Sequence, residues 1–103
     1  MLHPILGNIS VNELKPNQML MLFLMSSYAY YHRFDSLMAD EEFDSMCKVM
    51  IDRWDEIDHE HKYLVKIEDL KAGTGYAIKY ADYPTRVRVG ADDWMRDLEM
   101  RRG

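Results

Sequence analysis

The chain has 103 residues, of which 48% are apolar and 30% charged, a composition that folds into one globular domain and not into a disordered tail. Its net charge is -5, and Arg96, Arg101 and Arg102 form the only basic cluster, so nucleic acid is not an expected partner. The single cysteine, Cys47, excludes an intrachain disulfide, and the apolar run Met19–Met25 is too short to cross a bilayer.

Residues 1–14 are rich in turn and cap residues (Pro4, Gly7, Asn8, Ser10, Asn12), and "NISVNEL" reads as a short extended piece or a lead-in turn. Pro16 suits the first turn of a helix, and no Gly or Pro interrupts the chain from there to Arg33. The spacing predicts a first helix that ends near His32 or Phe34, with Leu20, Leu24, Tyr28 and Tyr31 on one face.

Asp35–Ala39 reads as a break. Asp40 suits the N-cap of a second helix, with Ala39 or Ser36 as alternatives, and Glu41 and Glu42 favour its positive end. Phe43, Met46, Met50, Trp54 and Ile57 repeat at helical intervals, with Cys47 beside them as a core residue. Two helices joined by so short a break pack antiparallel, with Phe43, Met46, Met50 and Trp54 expected against Leu20, Leu24 and Tyr28.

After Ile57 a polar loop carries His59 and His61. A short helix is expected around Glu68–Ala72, closed by Gly73 or Gly75. Residues 75–84 read as extended or as another short helix. "TRVRV" at 85–89 alternates like a short strand, Gly90 would break it, and a last helix would carry Trp94 and Leu98 on one face. The expected fold is mainly α: one domain over 1–103, with a helical hairpin at 15–57, a C-terminal extension at 58–103 and a short C-terminal helix.

Several residue groups invite chemistry. Tyr31 and His32 would line a pocket at the end of the first helix, or the tyrosines would be half-buried with wet hydroxyls. Asp40 and Asp44, four apart, project on one side and could accept hydrogen bonds from a ligand; otherwise Asp40 caps the helix and Asp44 is solvated. His59 and His61 lack the further ligands of a metal site. "AGTG" lacks the spacing of a phosphate loop, and no serine is marked as a nucleophile.

The segment "YYHRFDSLMADEEFDSM", residues 30–46, resembles the N-terminal nicotinamide-recognition segment of NAD-dependent bacterial DNA ligases. There a helical hairpin carries a Tyr-His pair, an acidic break, then Asp-x-Glu-Tyr-Asp. Here these are Tyr31–His32, "RFDSLMA", and Asp40 to Asp44, with Phe43 in place of the tyrosine. The resemblance covers residues 26–57 and implies NAD or nicotinamide mononucleotide as ligand. It places Tyr31 and Phe43 on the nicotinamide ring, His32 by the ribose phosphate, Asp40 and Asp44 on ribose or carboxamide groups, and Asp35 in a structural role. These 103 residues hold no Lys-x-Asp-Gly motif, so ligase activity is not expected of them. The later stretch "EDLKAGTGY" is similar to small ligase-N-terminus-like proteins of bacteriophages.

The resulting expectation is a non-catalytic, cytoplasmic, phage-type binding protein for a nicotinamide nucleotide, with no membrane partner. The alternative is an interaction module that meets a host or defence protein through an acidic surface, with no nucleotide ligand; a homodimer stays open in either case.

Overall fold

A computed structural model describes the backbone of residues 2–3, 7–8 and 13–102 and the side chains of residues 13–100. The fold is mainly α, as expected. Its four helices are α1 (Pro16–His32), α2 (Asp40–Asp52), α3 (Ile67–Ala72) and α4 (Thr85–Arg102). The only strands among the described residues are β1 (Leu2–His3) and β2 (Gly7–Asn8), a short antiparallel pair with Leu2 opposite Asn8. Most of "NISVNEL" lies outside the described residues. Among the described residues no helix is long and apolar enough to cross a membrane.

Helix α1 is the centre of the molecule. Pro16 opens it, and the backbone N–H of Lys15 donates to Gln18 Oε1 at 2.8 Å. Every residue from Leu22 to Ala29 is buried, so the helix is covered on all sides. It packs on α2 along one flank and on α4 along the other, while α3 rests on α2. The helix ends through Phe34, whose φ of 57° is left-handed, and the N–H of Asp35 reaches back to the Ala29 carbonyl at 2.9 Å. Glycine usually fills such a position, so a phenylalanine here holds a backbone shape that its side chain disfavours.

The expected antiparallel hairpin is present. The side chain of Asn17, at the start of α1, accepts from the N–H of Asp58 at 2.8 Å and donates to its carbonyl at 3.0 Å, which ties that end to the chain beyond α2. Asp40 is not the cap of α2. Ala39 takes that position, its N–H facing Glu42 Oε1 at 3.4 Å, and Asp40 becomes the first helical residue. Its carboxylate is thereby released from capping and left beside those of Glu41 and Glu42 at the positive end of the helix.

The expected core stripe of α2 holds in its middle and departs at its ends. Met46 and Met50 are fully buried. Phe43 is half-buried, packs against the core and stacks on Phe23, ring centroids 5.3 Å apart. The helix stops at Asp52, and Trp54 belongs to a tighter turn, Trp54–Glu56, where the Lys62 ammonium lies 4.7 Å over its ring. Ile57 still reaches the core.

The C-terminal third departs most from expectation. Gly73 does close α3, in the left-handed conformation at φ 66°. Residues 85–89 form no strand: they are the first turns of α4, and Gly90 lies inside that helix. The carbonyl of Pro84 accepts from the N–H groups of Val87 and Arg88, so the proline starts the helix. Val87, Ala91 and Trp94, at helical intervals of four and three, are fully buried. A Cβ on Gly90 would stand 2.8 Å from Met25 Cε, so its bareness lets α4 lie close on α1. Five alternating residues fit either period, and burial at 87, 91 and 94 decides for the helix.

Candidate functional site

Four segments meet at the turn end of the hairpin, beside the break between α1 and α2, around a cavity of about 300 Å³. The last turns of α1 supply Ser26, Ser27, Tyr30 and Tyr31. The break supplies Ser36, Leu37 and Met38, the start of α2 supplies Asp40, Phe43 and Asp44, and the turn after α3 supplies Gly73, Thr74 and Gly75. Four of the five residues singled out by sequence, Tyr31, Asp40, Phe43 and Asp44, therefore line one cavity.

The fifth, His32, does not line it. Consecutive helical residues point roughly 100° apart, so Tyr31 and His32 leave α1 on different sides. The imidazole sits among Tyr28, Tyr80 and Tyr83, with ring centroids 6.1, 5.7 and 5.4 Å away, and its Nε2 lies 3.4 Å from the Ile78 carbonyl. The segment after α3 claims the histidine as a packing residue.

Tyr31 is firmly placed. Its hydroxyl is hydrogen-bonded to Thr74 Oγ1, which also accepts from the N–H of Tyr76 at 3.0 Å. Its ring meets Tyr30 and Tyr76 edge to face, at 4.9 and 5.7 Å. Phe43 is fixed by its stack on Phe23. Two aromatic side chains from different helices thus belong to a preformed lining.

Asp40 and Asp44 are exposed at the rim, and neither has an ion-pair partner among the described residues. Gly73 makes room for Asp44: a Cβ there would stand 3.2 Å from its Oδ1. Among the described residues no Lys, Arg or His side chain lines the cavity. The site is therefore acidic and aromatic, a combination that suits a flat, cationic or amide-bearing ligand.

Sequence reasoning missed Ser27. It is 2% exposed, and its buried hydroxyl faces that of Tyr83. Burial pushes that phenol's pKa up. Gly75 leaves the serine uncovered, since a Cβ at 75 would fall 2.1 Å from Ser27 Oγ. Nothing local marks Ser27 or the wall at 73–75, because both depend on a contact between distant parts of the chain. "AGTG" is no phosphate loop; its two glycines close α3 and make space at the cavity.

The remaining candidates lie elsewhere. Cys47 is buried, and its thiol is pushed up to about 12 by burial, with Asp44 adding to the effect, which leaves it a poor nucleophile. His59 and His61 sit side by side, ring centroids 5.1 Å apart, and among the described residues no three His, Cys, Asp or Glu side chains gather around one point. A shallow depression lined by Tyr30, Tyr31, Phe34, Asp35 and Ser36 adjoins the main cavity, with Phe34 90% exposed.

No family model matches the sequence, and no curated protein or solved structure matches it either.

Proposed function

We propose that the chain is a non-catalytic, phage-type binding protein for the nicotinamide-ribose end of NAD or nicotinamide mononucleotide. The observation that carries this reading is the meeting of Tyr31, Phe43, Asp40 and Asp44 around one cavity of about 300 Å³. That volume lies at the small end of ligand sites and suits a ring with a ribose. Tyr31 and Phe43 would hold the ring, and the two carboxylates would accept from the ribose hydroxyls and the carboxamide N–H₂.

The residues fit the ring and ribose and do not fit the phosphate. His32, which the ligase resemblance assigns to the phosphate, packs against tyrosines away from the cavity, and among the described residues no cation lines it. The phosphate would then lie outside the cavity and add little affinity.

A calorimetric titration with NAD, nicotinamide mononucleotide and AMP tests this. Heat is expected with the two nicotinamide compounds and none with AMP. Asp44→Asn should weaken binding about ten- to a hundredfold, the loss of one charged hydrogen bond, and leave the melting temperature unchanged. No heat with millimolar nicotinamide compound would end the reading.

One observation favours the second reading, an interaction module for a host protein. Phe34, Tyr30 and Tyr76 are 90%, 57% and 77% exposed, and the first two line the depression beside the cavity. Exposed aromatic side chains are typical anchors of protein interfaces. A protein that gives no heat with any nicotinamide compound but binds a partner through Phe34 would support it.

A further inference from the structure

We infer that the aromatic depression beside the cavity is a docking surface for an arginine-bearing basic segment of a partner protein. This inference rests on the interaction reading above and adds what that reading leaves open, the chemistry of the partner. It is independent of the nucleotide reading.

The starting point is Phe34. Its φ of 57° is left-handed, a conformation that glycine adopts freely and a phenylalanine only under strain. The ring does not offset that strain by packing, since Phe34 is 90% exposed. Beside it stand Tyr30, 57% exposed, and the half-buried Tyr31. These two rings are nearly perpendicular, at 81°, and with Phe34, Asp35 and Ser36 they line one shallow depression. A strained aromatic residue that faces solvent among other rings serves the surface and not the core.

Charge names the occupant. Asp35 lines the depression, and Asp40 and Asp44 stand at the rim of the adjoining cavity, none with an ion-pair partner among the described residues. Among the described residues no Lys, Arg or His lines the depression, and the neighbouring Arg33 lies 3.7 Å from Asp92 of α4. The chain carries a net charge of -5, which disfavours an acidic partner. Arginine matches both features of the surface. Its flat guanidinium stacks on aromatic rings and donates two parallel N–H groups to a carboxylate, whereas the lysine ammonium is a compact, more strongly hydrated point charge. An apolar segment would meet the rings but cover the carboxylates unpaired, which is costly.

The test is an NMR titration of the isotope-labelled full chain, at physiological ionic strength, with end-blocked Gly-Xaa-Gly-Xaa-Gly peptides in which Xaa is arginine, lysine or leucine. It is run on the wild type, Phe34→Gly and Asp35→Asn. The arginine peptide should shift Tyr30, Phe34 and Asp35 and bind about fivefold more tightly than the lysine peptide. In Phe34→Gly that ratio should fall to within about twofold, with no loss of melting temperature, because glycine suits the left-handed position. Asp35→Asn should weaken both cationic peptides about threefold. The N–H of Ser36 donates to Asp35 Oδ1 at 2.8 Å, a bond that asparagine can keep, so that variant should fold as the wild type does. An arginine preference that survives in Phe34→Gly, unchanged affinities in Asp35→Asn, or a lower melting temperature of Phe34→Gly would overturn the inference. Binding of the lysine or leucine peptide at Phe34 as tight as that of the arginine peptide would overturn the choice of arginine and leave the interaction reading standing. No shift at Phe34 with any of the three peptides would overturn the inference and the interaction reading with it.

Discussion

Tyr31 and His32 are neighbours in sequence and stand in opposite kinds of environment. On the Tyr31 side, small residues of the turn after α3 leave space: Gly73, Thr74 and Gly75 form a wall, and the carboxylates of Asp40 and Asp44, without ion-pair partners among the described residues, stand at the rim. On the His32 side, the same stretch of chain a few residues later brings Ile78, Tyr80 and Tyr83, which close over the imidazole. Tyr28 and Tyr83 there are 1% exposed, and Arg88 covers the outer face of Tyr80 at 5.3 Å. The difference teaches that the C-terminal segment decides which side of α1 is open. The side chains of α1 itself are aromatic and polar on both.

The closed side should be the stabilising one. Tyr83→Ala removes a buried aromatic side chain and is expected to cost about 3–5 kcal/mol of unfolding free energy. Tyr31→Ala, on the open side, should cost about 1 kcal/mol, because the ring is only half-buried. Urea unfolding of both variants measures the contrast, and equal costs would break it.

The glycines sharpen the same comparison. Gly75→Ala puts a Cβ against Ser27, 2.1 Å from its Oγ and 2.7 Å from its Cβ, so backbone must move. The expected cost is about 1–3 kcal/mol, with loss of ligand affinity as the cavity wall shifts. Gly90→Ala meets only the flexible end of Met25 and gains helix propensity, so its stability should stay within about 1 kcal/mol of wild type. Thermal melts of the pair check this.

How much of this was legible in the sequence depends on range. The hairpin was readable because apolar residues recur every three or four positions, and the shared face of Asp40, Phe43 and Asp44 follows from the same period. The ends of α2 were less so: Ala39 caps it in place of Asp40, and Trp54 lies beyond its last turn. The alternation at 85–89 was too short to separate strand from helix, and the burial of Val87 against α1 is a tertiary fact. The fate of His32 was illegible for the same reason. Its neighbours Tyr80 and Tyr83 lie some fifty residues away in the chain, and no local pattern announces them.

A further expected effect is on pH. Burial raises the Cys47 thiol from 9.0 to about 12 and also raises the Tyr83 phenol. The folded chain then holds protons that the unfolded chain has released. Stability should therefore be full below about pH 9 and fall as pH rises toward 12, by at most about 1.4 kcal/mol per pH unit for the thiol. Cys47→Ala should flatten the thiol's share of that slope in urea titrations at pH 8, 9 and 10. A slope unchanged in that variant would leave Tyr83 and its closed side as the source.

The central claim is that ligand recognition belongs to the Tyr31 side alone. The most direct measurement is a two-dimensional NMR titration of the isotope-labelled chain with nicotinamide mononucleotide. The account expects saturable shifts at Tyr31, Asp44 and Thr74, and none at His32 or Ile78 beyond small changes carried through α1. Shifts centred on His32 and the tyrosines around it, or no shifts at millimolar ligand, would contradict it.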